Sequence, residues 1–170
     1  RDDRFGWRHD NYIGSLPQRN TEQTRWPAFW REHRLMPQLE LAGHAFTRED
    51  SNNFEQLLSR LPDLISIGDE EGPSLLHGDL WSGNVHPAAN GIALIDPSVY
   101  RGHREVDLGM AELFGGFPVH FWDAYDEAWP LVHDGYTKRR AVYQLYYLLV
   151  HVNLFGGAYV SQTRTALRHA

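Results

Sequence analysis

The sequence predicts a mainly helical α+β protein, and three observations lead to this fold class. Apolar residues recur at helical spacing in several long stretches. In the middle of the chain the pattern changes to short extended segments, with a turn signal at Asn90-Gly91 between two candidate strands. The length of 170 residues fits one domain that buries a sizeable core. We therefore expect a helical framework that carries one small β-hairpin.

The beginning of the chain divides into a loop and a helix. Residues 1–25 are polar and rich in turn formers, so we expect an ordered loop held by three aromatic anchors: Phe5, Trp7 and Tyr12. Apolar residues at a spacing of three to five predict a helix over residues 26–45. Pro27 suits its first turn, whereas Pro37 lacks a backbone N–H and should kink the helix or divide it into two pieces.

A second helix is predicted over residues 49–60, because its apolar residues again form one face. Ser51 or Asp50 is the expected N-cap. Leu61-Pro62 should end the helix, since a residue that precedes proline disfavours helical geometry. The acidic segment at residues 68–73 is expected to be an exposed loop, because such charges are more often solvated than bound to a metal.

Three further helices are predicted in the second half of the chain, over residues 106–114, 119–129 and 138–155. Asp107 lies near the start of the first one, where a carboxylate is favourable. Paired glycines should end two of them, at Gly115-Gly116 and Gly156-Gly157. The last helix is the longest, and five residues are expected to face the core: Ala141, Leu145, Leu148, Leu149 and Val152.

Composition excludes several classes of function. The formal net charge of −6 gives no broad basic surface for nucleic acid or acidic membranes, so neither is expected as a partner. The chain contains no cysteine, which excludes disulfides, thiolate metal sites and cysteine nucleophiles. No apolar run approaches the roughly 20 residues of a membrane span, and no signal-peptide pattern opens the sequence. We expect a cytoplasmic protein.

The chemistry is concentrated in HGDLWSGN, residues 77–84, and in the GIALI segment that follows it. Residues 74–77 and 85–86 have the pattern of short strands, and residues 91–95 that of a buried strand. In a hairpin centred near Asn90, residues whose numbers sum to about 180 lie opposite each other. Asn84 and Asp96 are therefore expected side by side at the open end of the hairpin, next to the loop that carries Asp79.

This arrangement suits phosphoryl transfer. Mg²⁺ takes one or two carboxylates together with phosphate oxygens and water, and Asn84 and Asp96 offer oxygen atoms for it. Asp79 is then free to orient a hydroxyl group, as in the kinase pattern H-x-D-x-x-x-x-N followed by a metal-binding Asp. Taken singly, each of the three residues is better explained as a cap or a turn residue. Their joint spacing favours the catalytic interpretation.

Two neighbours of these residues require separate treatment. His77 is expected to pack under the loop and to hydrogen-bond its backbone, so we do not interpret it as a base. Trp81 lies between Asp79 and Asn84 and either packs in the core or stacks on a sugar-like substrate, and the second interpretation is slightly favoured.

With these residues in view, the chain resembles the fructosamine 3-kinases, or ketosamine kinases, of the aminoglycoside-phosphotransferase-like branch of the protein-kinase-like fold. The resemblance runs along nearly the whole chain and is carried by five stretches: FGWRHDNYIGSLPQRN (5–20), LLHGDLWSGNV (75–85), ALIDPSVYRGHREVDLGM (93–110), LFGGFP (113–118) and QLYYLLVHVNLFG (144–156). It implies that residues 1–170 form the C-terminal lobe of such a kinase, with the catalytic loop at 75–85 and the metal loop at 93–98, the metal site being carried by the small β-hairpin.

The resemblance also implies roles for individual residues. Asp79 is the catalytic base, Asn84 and Asp96 bind Mg²⁺, and Trp81 forms a wall of the sugar-amine site. Asp107 braces the catalytic loop from the start of a helix. The adjacent residues His103, Arg104 and Glu105 either line the acceptor site as substrate-binding residues or hold this loop, and both alternatives stay open.

The implied activity is ATP- and Mg²⁺-dependent phosphorylation of a sugar hydroxyl on ketosamines, free or on glycated lysines, with a role in protein deglycation. One alternative keeps the kinase but changes the acceptor to an aminoglycoside, choline or another small alcohol. Another is a non-catalytic, isolated C-terminal lobe. The chain carries no Gly-rich phosphate loop and begins without Met, so we expect an N-terminal ATP-binding lobe upstream, without which this piece should be inactive.

Overall fold

In the computed structural model, which describes residues 3–170, helices form most of the protein and three two-stranded antiparallel sheets lie between them. The helices are α1 (Trp26–Trp30), α2 (Met36–Ala42), α3 (Arg48–Ile65), α4 (Ile67–Glu71), α5 (Glu105–Phe114), α6 (Val119–Ala128), α7 (Tyr136–Phe155) and α8 (Val160–His169). The strands are β1 (Asn11–Ile13), β2 (Leu16–Gln18), β3 (Ser74–Leu76), β4 (Val85–Ala88), β5 (Gly91–Leu94) and β6 (Tyr100–Gly102). The mainly helical α+β prediction is confirmed, although α8 and two of the sheets were not predicted.

Helix α7 is the centre of the core. It packs against α2, α5 and α8, and all five of its residues that were predicted to face inward are buried. A layer of aromatic side chains joins it to α1, where Trp30 contacts Tyr143 and Tyr146 edge to face. Tyr143 also accepts a hydrogen bond from the indole N–H of Trp26, so these polar atoms are paired although the rings are buried.

Pro37 does not divide the first long helix into two separate pieces, because helical geometry runs without a break from α1 to α2. Between α1 and α2 the segment Arg31–Leu35 is π-helical, directly before Pro37. A proline has no N–H to continue the regular ladder, and its ring presses on the preceding turn. The wider π turn accommodates both effects.

Helix α3 corrects two predictions. Its N-cap is Thr47, whose hydroxyl accepts from the backbone N–H of Asp50 while the Asp50 carboxylate accepts from the N–H of Thr47. The helix also continues through Pro62 to Ile65. Its apolar face extends past the proline, and burial of Ile65 stabilises a further turn that local sequence preference disfavours.

The expected loop before α1 contains the β1–β2 hairpin instead. Phe5 is buried and pairs through its backbone with Gln23, so it is an anchor as predicted. Tyr12, in contrast, is 64% exposed, because in β1 its side chain points to the solvent face. The prediction that it anchors the loop is therefore wrong. The part of this prediction that concerns residues 1 and 2 lies outside the described residues.

The acidic segment at residues 68–73 is mostly helical rather than an exposed loop. Residues up to Glu71 belong to α4. Asp69 accepts a hydrogen bond from the backbone N–H of Trp26, and Glu71 binds His103 and Arg104. These tertiary partners, 32 or more residues distant in sequence, order the segment. Across residues 3–170, no helix combines the length and apolar character needed to cross a membrane.

Candidate active site

The loop that carries Asp79 lies between β3 and the β4–β5 hairpin. Strand β3 pairs with β6, and the backbone O of His77 accepts from the N–H of Ser98, so the start of the loop is anchored to this small sheet. Its other end leads into the separate β4–β5 sheet, where the backbone O of Asn84 accepts from the N–H of Ile95. Gly78 has φ of +79°, and a Cβ at this position would come within 2.1 Å of the backbone O of Ser98. Only glycine fits here.

Asp107 holds this loop from the first turn of α5. Its carboxylate accepts hydrogen bonds from the backbone N–H groups of His77 and Gly78, each at 2.8 Å. Burial raises the pKa of Asp107 to about 6, although both hydrogen bonds favour the charged form. The Asp107 carboxylate thus fixes two successive peptide units immediately before Asp79.

Asp79 is half-buried and contacts Asn84. The side-chain amide of Asn84 donates to the backbone O of Asp79 at 2.9 Å and to its carboxylate at 3.3 Å. Burial raises the pKa of Asp79, and the charge of Asp96 acts in the same direction, whereas the Asn84 amide and His77 oppose this rise. The Tyr147 hydroxyl donates to the backbone O of Gly78 at 2.9 Å and supports the loop from α7.

His77 bridges the loop and the hairpin. Its Nε2 lies 2.9 Å from the backbone O of Ile95, and its Nδ1 accepts from the N–H of Asp79 at 3.3 Å. These contacts place the proton on Nε2. In this state His77 is engaged on both ring nitrogens.

The register of the hairpin differs from the predicted one by one residue. Val85 pairs with Leu94 and Ala88 with Gly91, so the two-residue turn is Ala89-Asn90. Asn84 consequently lies opposite Ile95, whose N–H donates to its backbone O, and not opposite Asp96. Asp96 follows at the mouth of the hairpin with φ of +51°, which is unusual outside glycine. The backbone thereby turns at Asp96 instead of extending the ladder.

Strand β5 is not buried, which corrects the prediction for GIALI. Ile92 is 71% exposed, Leu94 50% and Ile95 39%. The hairpin stands out from the helical body, so neither of its faces is covered by the described residues. An apolar surface therefore leads up to Asp96, the residue that follows Ile95.

The oxygen donors at this site fit Mg²⁺ better than a metal held by protein alone. The described residues contain no group of three or more His, Cys, Asp or Glu side chains arranged to hold a metal ion. Asn84 donates through its amide nitrogen, which leaves the amide oxygen for a cation, and exposed Asp96 offers a carboxylate. One carboxylate and one amide oxygen are a set that Mg²⁺ accepts when phosphate oxygens complete its coordination.

A cavity of about 430 Å³ opens beside Asp79. Trp81 forms one wall and is 40% exposed, and a Cβ on Gly83 would collide with its ring. The opposite wall is His151 of α7, which packs against three aromatic rings: Phe114, Phe155 and Tyr159. Sequence reasoning missed His151, since a single histidine in a buried helix carries no local signal. Its Nδ1 lies 2.8 Å from the backbone O of Tyr147.

His103, Arg104 and Glu105 lie inside the protein and do not line this cavity. His103 and Arg104 both bind Glu71, at 3.0 Å and 2.8 Å, and Arg104 also donates to the backbone O atoms of Trp129 and Pro130. Glu105 forms a buried ion pair with Arg139 at 2.7 Å. None of these contacts reaches this cavity or the catalytic loop, so neither of the two alternatives for these three residues is supported by them.

Comparison with known proteins identifies the same family that the sequence motifs resemble. The sequence model of the fructosamine kinase family matches residues 1–170. A Synechocystis protein named "Probable ketoamine kinase" is 44% identical over 96% of this chain, and mouse ketosamine-3-kinase is 36% identical over 98%. The chain spans 55% and 54% of the lengths of these two relatives.

Solved structures resemble the fold closely. A crystal structure from Thermobifida fusca, named as a fructosamine-3-kinase, superposes with a TM-score of 0.89 at 43% identity. The match covers 98% of this chain and 58% of that one. A second structure, from Haemophilus somnus and named in the same way, gives a TM-score of 0.84 at 32% identity.

Proposed function

Because the chain belongs to the fructosamine kinase family, we propose that the protein containing it transfers the γ-phosphoryl group of ATP to a sugar hydroxyl of a ketosamine. Mouse ketosamine-3-kinase is the relative whose name supports this acceptor class. The acceptors are sugar adducts of amines, free or on protein lysines, and the biological role is deglycation.

The contact between Asn84 and Asp79 is the observation that carries this proposal. A carboxylate that orients a hydroxyl nucleophile must be held at a fixed angle, with one oxygen directed at the acceptor. The Asn84 amide fixes one oxygen of Asp79, and Asp107 fixes the peptide units before it. Asp79 then orients the acceptor hydroxyl and accepts its proton at the other oxygen.

Asn84 and Asp96 would hold Mg²⁺ in this scheme. When bound, the ion would neutralise charge on the phosphates of ATP. The unusual backbone at Asp96 supports this assignment, because a non-glycine residue at positive φ costs of order 1–3 kcal/mol and such residues cluster at functional sites.

The cavity beside Asp79 is the proposed acceptor site. Its walls are aromatic, with Trp81 on one side and the His151 cluster on the other, and Asp79 is at its edge. Flat aromatic faces suit the apolar faces of a sugar ring, and Nε2 of His151 can accept a hydrogen bond because Nδ1 carries the proton. A volume of about 430 Å³ is in the usual range for a small ligand.

We further propose that these residues form the C-terminal lobe of a two-lobed kinase and that a second lobe completes the nucleotide site. The exposed apolar side chains of Ile92, Leu94 and Ile95 support this proposal, since they lie beside the metal residues where the adenine and a covering lobe would pack.

An acceptor panel tests the proposal. The full-length protein is incubated with Mg-ATP and fructosyl-lysine, ribulosyl-lysine, an aminoglycoside or choline, and phosphorus NMR identifies the phosphorylated hydroxyl. We expect phosphorylation of the ketosamines and a much lower kcat/KM for the others. Preference for the aminoglycoside or choline would replace the ketosamine assignment, and no transfer to any acceptor would favour a non-catalytic module.

A further inference from the structure

A second cavity, which we call the α6 groove, lies between α6 and the segment that leads into α7. Its volume is about 670 Å³. The rings of Trp122, Tyr125 and Tyr136 form its walls, and Asp123 and Glu127 lie on its α6 side. Among the described residues, none that lines the groove is a Lys or an Arg.

The charge of this region is one-sided over a long stretch of sequence. Residues 105–137 contain seven acidic residues and no Lys or Arg. The formal charge of this segment is therefore more negative than the net charge of −6 of the whole chain. Some of these carboxylates are already paired within the protein, such as Glu105 with Arg139 and Glu112 with Arg140. Within residues 3–170, the side-chain carboxylates of Asp123 and Glu127 form no hydrogen bond or ion pair.

Helix α6 lacks a partner on the side that forms the groove. None of its ten residues is buried, although Phe121, Trp122 and Tyr125 give it an aromatic face. Asp123 and Glu127 are also one turn apart on this helix, an arrangement of like charges that destabilises a helix. A cation bound between them removes that repulsion, and the flanking rings can contact it through their faces.

The groove and the acceptor cavity lie on opposite sides of α5. Glu112 lines the groove, whereas Met110 and Phe114 line the cavity beside Asp79. A helix with its side chains is about 10–12 Å across. An extended polypeptide covers about 3.3 Å per residue, so three or four residues span this distance. Gly116, two residues past the end of α5, lies so close to Ser82 of the catalytic loop that a Cβ on it would come within 2.3 Å of the Ser82 hydroxyl oxygen.

We propose that the α6 groove binds a Lys or Arg side chain of the polypeptide that carries the glycated lysine. This inference rests on the proposed kinase function and adds a substrate class: protein-bound acceptors with a basic residue three or four positions from the modified lysine. Charge complementarity selects the occupant, since a neutral or acidic segment would leave Asp123 and Glu127 unpaired.

The test compares two glycated peptides with the full-length protein. They differ only in whether the residues three and four positions from the modified lysine are Arg or Gln. We expect the Arg peptide to have a KM lower by about 2- to 10-fold, since exposed ion pairs contribute about 0.2–1 kcal/mol each. The Asp123→Asn/Glu127→Gln protein should lose this preference, and Glu127→Lys should shift it towards a peptide with Glu at the same positions.

The matched control is Glu55→Gln/Asp63→Asn, which removes one Glu and one Asp carboxylate from α3 instead of α6. This variant should keep the wild-type ratio of the KM values for the two peptides. Persistence of the preference in the α6 variant, or its equal loss in the α3 variant, overturns the proposal. If no ketosamine is phosphorylated, the proposed kinase function is wrong. The α6 groove is then tested separately, by comparing the binding of fluorescently labelled, unglycated Arg and Gln peptides through their anisotropy. Spermidine binding as tightly as the Arg peptide would assign the groove to small polyamines and refute the polypeptide.

Discussion

The side-chain amide of Asn84 donates to both the backbone O and the carboxylate of Asp79, at 2.9 Å and 3.3 Å. These two residues are five positions apart, and the 3₁₀ turn Ser82–Asn84 brings the amide back over the loop. The contact connects the proposed base to the proposed metal site, because the same amide would bind Mg²⁺ through its oxygen. Disturbing either residue should therefore affect both functions.

Replacing Asn84 by Asp is expected to impair catalysis through charge. A carboxylate cannot donate to Asp79, and its negative charge raises the pKa of Asp79 beyond the rise that burial already causes. We expect kcat to fall at least about 100-fold and the acidic limb of the pH–rate profile to move to higher pH. Asn90→Asp, the same substitution in the exposed hairpin turn, is the control. A profile that moves equally in both variants would contradict this account.

Asp107→Asn is expected to lower stability in a pH-dependent way. The amide accepts from only one of the two N–H groups that the carboxylate holds, which should cost about 1–3 kcal/mol. Burial raises the pKa of Asp107 to about 6, so between pH 4 and 6 the folded state binds a proton that the unfolded chain has released. This contribution to wild-type stability decreases as pH rises through that window.

Urea unfolding of the wild type and of Asp107→Asn at several pH values measures this effect. The stability difference between them should shrink from pH 4 to pH 6 and stay constant above pH 7. A difference that grows with pH would show that the Asp107 carboxyl is not protonated preferentially in the folded state.

Gly83→Ala tests the aromatic wall of the acceptor cavity. A Cβ at this position would lie 2.2–2.5 Å from three ring atoms of Trp81, so the indole must move. We expect the KM for the acceptor to rise about 10-fold, comparable to the loss of one base- or sugar-stacking contact of about 1–3 kcal/mol, with little change in the KM for ATP. Gly43→Ala is the control, since a Cβ there meets nothing within 4 Å. Equal KM values in the two variants would exclude Trp81 from the acceptor site.

Glu71→Gln is expected to destabilise the protein by about 2–3 kcal/mol, since it leaves buried Arg104 without its carboxylate partner at a partly exposed site. Burial alone would raise the pKa of Glu71, but hydrogen bonds from Arg104 and His103 outweigh this and lower it to about 2. Its contribution to stability is therefore complete above about pH 4.5 and is lost as pH falls towards 2. Thermal unfolding at pH 7 and pH 3 checks this, with Glu70→Gln on the adjacent exposed residue as control. If Glu71→Gln lowered stability more at pH 3 than at pH 7, the assigned pH dependence of Glu71 would be contradicted.

Local sequence patterns predicted the features that depend on near neighbours. The extended segments around HGDLWSGN and the inward face of α7 both follow from the spacing of apolar residues. The hairpin register was wrong by one because the turn uses Ala89-Asn90, a choice that moves Asn84 opposite Ile95.

Features that depend on distant contacts could not be predicted in this way. Glu71 is ordered by His103 and Arg104, and Ile65 extends α3 past a proline through core burial. His151 enters the cavity only because α7 packs beside the catalytic loop.

The central claim is that Asp79 orients the acceptor hydroxyl, and single-turnover phosphoryl transfer by the full-length protein tests it most directly. The Asp79→Asn protein is mixed with Mg-ATP and fructosyl-lysine and quenched over time, with Asp63→Asn as a surface control. We predict a transfer rate lower by about 10²–10⁴-fold, since this is the usual contribution of a positioned base, while Mg-ATP still binds. Transfer by Asp79→Asn at the rate of the wild type would contradict the account.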